Sequence, residues 1–360
     1  MIAACTLYIL ILFLSIIGCL YINKTVNNRD IAYPLYWIFF LFLVLFTTFR
    51  SPELPDYQEY MYLFNSTYSD SSDDKEASFY IICSIAKFLS PNDGRYLFLF
   101  IYALLGIGLK LYAIKKYSPH IIFSLCIWLS SFFILHDLIQ IRAGVASGLF
   151  LLLLPELKKG NRIKSIIIFV IAFCFHYSAI VFLPFFFINP NRIRCKIWAI
   201  AYLCLISVNV LKIDIFIYVN KLLELLPGDS INSRLSLYLT REYSVNEEQT
   251  NMLAPYILLQ SLTCFVTLFN IKRLQVASPY AILWVKSSFI SIFIYSLSIP
   301  GVSMRLAELL SVSQIFLMSM IIDCFTKKYK PLGAIFVSII SFMWLSYFVL
   351  IKDFLNLSIS

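Results

Sequence analysis

Three arginines stand where apolar sequence meets polar sequence, and each has an acid or a histidine nearby. Arg50 ends an aliphatic and aromatic run and opens Arg50-Ser-Pro-Glu-Leu-Pro-Asp56-Tyr57-Gln-Glu59-Tyr60. Arg142 closes His136-Asp137-Leu-Ile-Gln140-Ile-Arg142, where His136 and Gln140 are one helical turn apart. Arg305 and Glu308 follow Pro300-Gly301 and, three residues apart, share a helix face. His176 lies in Phe175-His176-Tyr177-Ser178. A guanidinium keeps its charge when desolvated and grips phosphate oxygens as a fork. Three of them around one site would suit a pyrophosphate. His176 or Asp56 beside them could take a proton. There is no acidic cluster with metal-ligand spacing, so such phosphate chemistry would be metal-independent.

Taken singly, each group also has a plain structural explanation. Arg50 would snorkel, with Asp56 as a simple N-cap. Arg142 would pair with Asp137. His176 would be a satisfied core histidine, and Arg305–Glu308 a local ion pair. Lys286, inside an apolar run, would snorkel. The spacing alone does not place these groups together.

The elements that must position them are membrane helices. Of 360 residues, 60% are hydrophobic, 17% aromatic and 14% charged. Soluble domains carry about 45–50% apolar and about 25% charged residues. A soluble enzyme, a secreted disulfide scaffold and a DNA-binding domain are thereby excluded. Apolar runs of membrane-spanning character occupy roughly 2–22, 33–49, 96–114, 120–135, 139–155, 164–188, 196–212, 252–271, 280–299, 305–322 and 331–351. A backbone in lipid must satisfy itself, so these runs predict helices. The expected fold is all-α and polytopic, one transmembrane domain over 1–360 with about 11–12 helices. The first run has no basic leader and no small-residue cleavage site, and reads as a retained span. The nine cysteines show no CxxC spacing and read as small hydrophobes.

Lysine and arginine placement sets the orientation. Alternate short loops, at 22–30, 110–116, 156–164, 191–196, 272–273 and 323–330, hold 17 of the 29 basic residues and only 3 of the 20 acids. That side is expected to be cytoplasmic, so the net charge of +9 reflects topology rather than nucleic-acid binding. The alternation holds only if the run 164–188 enters and returns. It therefore predicts a broken helical hairpin with His176 at its outward tip, the other option being one long tilted helix. Two long outward loops follow, 50–95 with an amphipathic stretch from Glu76 to Ser90, and 213–251.

The ordered set of motifs resembles the EpsG family. It comprises Arg50…Pro55-Asp56-Tyr57…Tyr60…Phe64, then Glu76-x-x-Phe79-Tyr80, then His136-Asp137-Leu-Ile-Gln140-Ile-Arg142-Ala-Gly-Val-Ala-Ser, then Phe175-His176-Tyr-Ser-Ala, then Met304-Arg305-Leu-Ala-Glu308. Ala143-Gly144 departs from the family, where a polar Gln commonly follows the arginine. The resemblance implies a Wzy-type O-antigen, capsule or exopolysaccharide polymerase, a glycosyltransferase with a GT-C-like helical fold in the bacterial inner membrane. It implies undecaprenyl-pyrophosphate-linked oligosaccharide donor and acceptor on the periplasmic face, no cofactor, and a Wzz-type chain-length regulator as partner. Arg142, Arg305 and Arg50 would bind the donor pyrophosphate. His176 would be the base, and Asp56 would orient the acceptor, its own basicity lowered by the arginines. Glu308, His136, Asp137, Gln140, Tyr57 and Tyr60 would line the substrate site, the tyrosines stacking on sugars. A lipid-linked oligosaccharide flippase or transporter, a related GT-C ligase, and a scaffold of a polysaccharide assembly complex stay open as alternatives.

Overall fold

The computed structural model describes residues 2–22, 32–66, 75–211, 252–297 and 302–355. The expected loop 213–251 lies outside them. So do Pro300-Gly301 and residues 67–74 of the loop 50–95. No strand occurs among the described residues.

The chain runs through α1 (Ile2–Ile22), α2 (Ala32–Thr48), α3 (Tyr57–Ser66), α4 (Ala77–Leu89), α5 (Arg95–Tyr117) and α6 (Ile121–Ile127). A π-helical segment, Trp128–Ile139, continues α6. Then come α7 (Ile141–Lys159), α8 (Arg162–Phe175), a 3-10 segment Tyr177–Phe186 and α9 (Cys195–Val210). The last part holds α10 (Pro255–Phe269), α11 (Ile271–Ala277), α12 (Ala281–Ser296), α13 (Val302–Ser311), α14 (Gln314–Ser319) and α15 (Lys330–Ser346). Large apolar side chains such as Ile9, Phe13, Ile38 and Phe187 are exposed, as a lipid-facing surface requires.

This is an all-α, multi-pass membrane protein. Four helices are long and apolar enough to cross a bilayer, at Ile2–Ile22, Arg95–Tyr117, Ile121–Ile139 and Lys327–Ile351. Two bent pairs raise the number to six. By this measure the described residues do not reach the eleven or twelve helices expected from hydropathy. Several apolar runs fold as shorter helices such as Cys195–Asn209 and Ala281–Ser296, and two bend sharply, by 86° between Phe269 and Ile271 and by 46° between Ser311 and Gln314.

The expected hairpin is present. α7 ends at Gly160, whose φ of 78° suits a residue without a side chain, and Gly160 N and Asn161 N close the helix on Leu157 O and Glu156 O. α8 then runs back along α7 as far as His176, where an extended backbone (φ −158°, ψ 119°) breaks it. The 3-10 segment returns, and Phe169 of α8 meets Phe186 with ring centroids 5.8 Å apart. Lys158 at the end of α7 donates to Pro190 O and to Asn191, so entry and exit lie at one end. Lys286 does not snorkel. It is buried and donates to Asn189 O and Arg192 O at 2.6 and 2.7 Å, tying α12 to the hairpin exit.

Lys110 also departs from its reading as a loop charge. It lies within α5, fully buried, and donates to Asp137 Oδ1 and to Gly144 O, both at 2.7 Å. Trp128 Nε1 donates to the other Asp137 oxygen at 3.0 Å. Asp137 therefore pairs with Lys110 rather than Arg142. Two glycines make room for this. A Cβ at Gly144 would fall 2.3 Å from His136 O, and one at Gly106 would fall 2.8 Å from Asp137 Oδ1. Gly144 thus has a packing reason, while nothing in the structure explains the alanine at 143. Lys110→Met leaves the Asp137 charge buried without its partner and is expected to destabilise the protein by roughly 3–5 kcal/mol, whereas Lys110→Met with Asp137→Leu recovers most of that. Thermal unfolding in detergent compares the two; equal losses would contradict the pairing.

Candidate functional site

Glu76 stands at the N-cap position of α4, with an extended backbone (φ −63°, ψ 145°), and is buried. One carboxylate oxygen, Oε2, accepts from Arg142 Nη1 on the first turn of α7. The other, Oε1, lies 3.0 Å from His176 Nδ1 at the break of the hairpin. It also accepts from Tyr177 N at 3.4 Å, capping the 3-10 segment from outside. One side chain thus joins its own segment to two others that lie 66 and 100 to 101 residues further along the chain. Burial works to raise the Glu76 carboxyl, but the hydrogen bond of His176 and the charge of Arg142 outweigh it and bring it down to about 2.

Arg142 is further fixed by aromatic faces, with Tyr60 and Phe79 at 5.6 and 5.8 Å from its guanidinium carbon. Its Nε is enclosed and has no hydrogen-bond partner among the described residues. Arg50, just past α2, is buried and donates from Nη1 to Leu138 O of the π-helical segment. Its Nε and Nη2 have no partner among the described residues. Asp137 supports it electrostatically.

Asp56 sits before α3 with φ 63°, a left-handed conformation that short polar side chains tolerate. Its carbonyl accepts from Tyr60 N at 2.9 Å, the first helical bond of α3. Arg142 and Arg305 both act on its carboxyl, yet their charge does not prevail. Desolvation, with help from Glu59, pushes Asp56 above the usual carboxylate range. Asp56 is a stronger base than the nearby arginines alone suggest. Arg305 is exposed on α13, and Glu308 on the same helix is buried, accepting from Gln140 Nε2 at 3.4 Å.

The structure therefore brings Arg50, Asp56, Arg142, His176, Arg305, Glu308 and Gln140 to one end of the bundle. Of these, Arg50 and Glu308 are buried beneath the others. Four further expected contact residues are also buried. Asp137 is consumed by Lys110 and Trp128. His136 is fully buried against Phe132, and neither ring nitrogen has a partner among the described residues. Tyr57 and Tyr60 are buried too, Tyr60 beneath Arg142, which leaves their faces unavailable for sugar stacking. Glu76 and Lys110 are the residues that sequence reasoning did not place in the site. Glu76 carried a signal, an acid immediately ahead of an amphipathic helix, within Glu76-x-x-Phe79-Tyr80. Lys110 carried none, since it closes an apolar run as an ordinary interfacial lysine would.

The model of the EpsG family matches residues 33–359, and the chain belongs to the EpsG family. It is also similar to amylovoran biosynthesis protein AmsC of Erwinia amylovora, 29% identical over 109 residues, 29% of this chain and 29% of that protein's length. The chain thus matches under a third of that relative. No solved structure matches.

Because Glu76 is held at about 2 against an ordinary value of 4.5, its stabilising contribution is complete above pH 4.5 and is lost as pH falls through about 2. Infrared difference spectra of wild type against Glu76→Gln are expected to show no protonated-acid band from this residue at pH 4. A band appearing near pH 5 would contradict the bridge.

Proposed function

We propose that this EpsG-family protein is a polysaccharide polymerase, a glycosyltransferase of the bacterial inner membrane working on the periplasmic face. Its substrates would be oligosaccharide repeats linked to undecaprenyl pyrophosphate. The observation that carries the reading is the convergence of Arg142, Arg50 and Arg305 with a histidine and an aspartate at the end of the bundle opposite the basic loops. Enclosed guanidinium donors on Arg50 and Arg142 that have no partner among the described residues fit an anion with several oxygens. The arginines supply the positive charge that a metal ion supplies in other phosphate sites, so the reaction is metal-independent in this scheme. The name of AmsC, a biosynthesis protein of the polysaccharide amylovoran, agrees with this class of product.

The chemistry follows from the positions. A hydroxyl of the incoming lipid-linked repeat gives its proton to His176, through the ring nitrogen that Glu76 does not engage. The hydroxyl oxygen bonds to the anomeric carbon of the growing chain as that carbon's bond to the pyrophosphate oxygen breaks. The electron pair leaves on the lipid pyrophosphate, which the arginines bind more strongly as its charge grows. Asp56, raised above the ordinary range, orients the acceptor hydroxyl. Gln140 and Glu308 hold the wall beside Arg305.

A deletion strain complemented with variants tests the scheme on a surface-polysaccharide gel. Wild type is expected to restore a ladder, while Arg142→Ala and His176→Ala leave a band of single repeats with the protein still in the membrane. Removing a transition-state donor such as Arg50 costs about 10²–10³ in rate, so Arg50→Ala is expected to shorten the ladder strongly. Loss of all surface sugar in the deletion would point to export of the repeat instead, and unchanged ladders would overturn the proposal.

A further inference from the structure

The bridge at Glu76 goes beyond the binding of substrate. A histidine acts as a base only through the nitrogen that lacks a proton, and which nitrogen that is depends on the partner of the other. His176 Nδ1 faces Glu76 Oε1 at 3.0 Å, and an ionised carboxylate can only accept. A neutral His176 bound in this way carries its proton on Nδ1 and its lone pair on Nε2. Charged or titratable groups on the elements around the ring include Glu76 ahead of α4, His136 of the π-helical segment, Arg142 of α7, Tyr102 of α5, Tyr177 of the 3-10 segment, and Arg305 and Glu308 of α13, which packs against that segment. Among the described residues, Glu76 is the one that hydrogen-bonds to the ring.

The two arms of the carboxylate do separate jobs. Oε1 sets the ring, while Oε2 holds Arg142 over the Tyr60 and Phe79 faces. Glu76 is buried, so neither arm is lost to water. The extended backbone of His176 adds to this. It frees the N–H of Tyr177 from helical bonding, and Glu76 Oε1 takes that N–H as well, locking the turn that presents the imidazole.

We propose that Glu76 is the positioning residue of this site: its carboxylate fixes His176 with Nδ1 protonated and Nε2 open toward the acceptor hydroxyl, and it anchors Arg142 in the same act. The role of Nε2 rests on the polymerase reading; the arrangement of the ring does not. A carboxylate that orients a histidine without touching substrate is a recurring device in proton transfer.

The chain has only three histidines, His120, His136 and His176, so the ring states can be read directly. The experiment is nitrogen NMR of ¹⁵N-histidine-labelled full-length protein in lipid nanodiscs at neutral pH, assigned with His176→Gln. The expected wild-type signal for His176 has a protonated Nδ1 and a bare Nε2. In Glu76→Ala that signal should move to the Nε2-protonated form, with His120 and His136 unchanged as reporters of the fold. Arg142→Ala, which empties only the Oε2 arm, should leave the His176 pattern as in wild type. A wild-type His176 protonated on Nε2 overturns the proposal whatever the variants do, so a Glu76→Ala protein that fails to fold does not protect it. An unchanged His176 signal in folded Glu76→Ala overturns it too. On the polysaccharide gel Glu76→Ala is expected to give single repeats. A wild-type ladder in that variant would show the ring setting to be unused and so overturn the positioning role. Failure of the polymerase reading would show separately, as a normal ladder in the strain lacking the whole protein.

Discussion

A carboxylate buried beside a bilayer is costly unless every one of its oxygens is used, and Glu76 uses both. The cost of desolvating it is offset by a guanidinium on one oxygen and an imidazole with a backbone N–H on the other. Those donors come from α7 and from the broken hairpin, while Glu76 itself precedes α4. The three segments cannot be arranged independently. If the hairpin did not break at His176, the imidazole would stay on a helix wall and Tyr177 N would bond within the helix. If Arg142 were one turn deeper, it would lose both Glu76 and the rings of Tyr60 and Phe79. The site's geometry follows from satisfying this one charge.

A second buried pair lies behind the site and has the opposite character. Lys110 and Asp137 satisfy each other with Trp128 and Gly144 O, and the close approach of Gly106 and Gly144 leaves no room for more. That closed pair holds α5, the π-helical segment and α7 in register, from which Leu138 O reaches Arg50 and Gln140 reaches Glu308. Arg50 and Arg142 differ in having enclosed donors with no partner among the described residues. A pair that is complete builds the wall; cations that are incomplete suit a ligand that brings charge.

The sequence was legible where a physical rule acts locally. Apolar runs gave the helices, and the alternation of basic loops forced the hairpin at 164–188 with its break at His176. Arg142, His176, Asp56 and Arg305 were recognisable because ionisable residues in apolar sequence need a reason. Pairing was not legible. Arg142 had Asp137 five residues away, yet its partner is Glu76, 66 residues distant, because helix packing rather than chain proximity decides which acid an arginine meets. Lys110 was indistinguishable from an interfacial lysine until Asp137 appeared against it. Asp56 was misjudged in strength because the arginines near it were visible in the sequence and its desolvation was not. The bends at Asn270 and between Ser311 and Gln314 were not legible either, because hydropathy registers apolar runs and not their direction.

The central claim is that the converged arginines and His176 carry out glycosyl transfer from a lipid pyrophosphate. The most direct measurement uses purified protein in nanodiscs supplied with one defined lipid-pyrophosphate-linked repeat, counting glycosidic bonds formed and lipid pyrophosphate released. The account predicts one pyrophosphate released per bond formed, with both lost together in Arg142→Ala. Repeats that remain on their lipid in the presence of folded wild-type protein would contradict it.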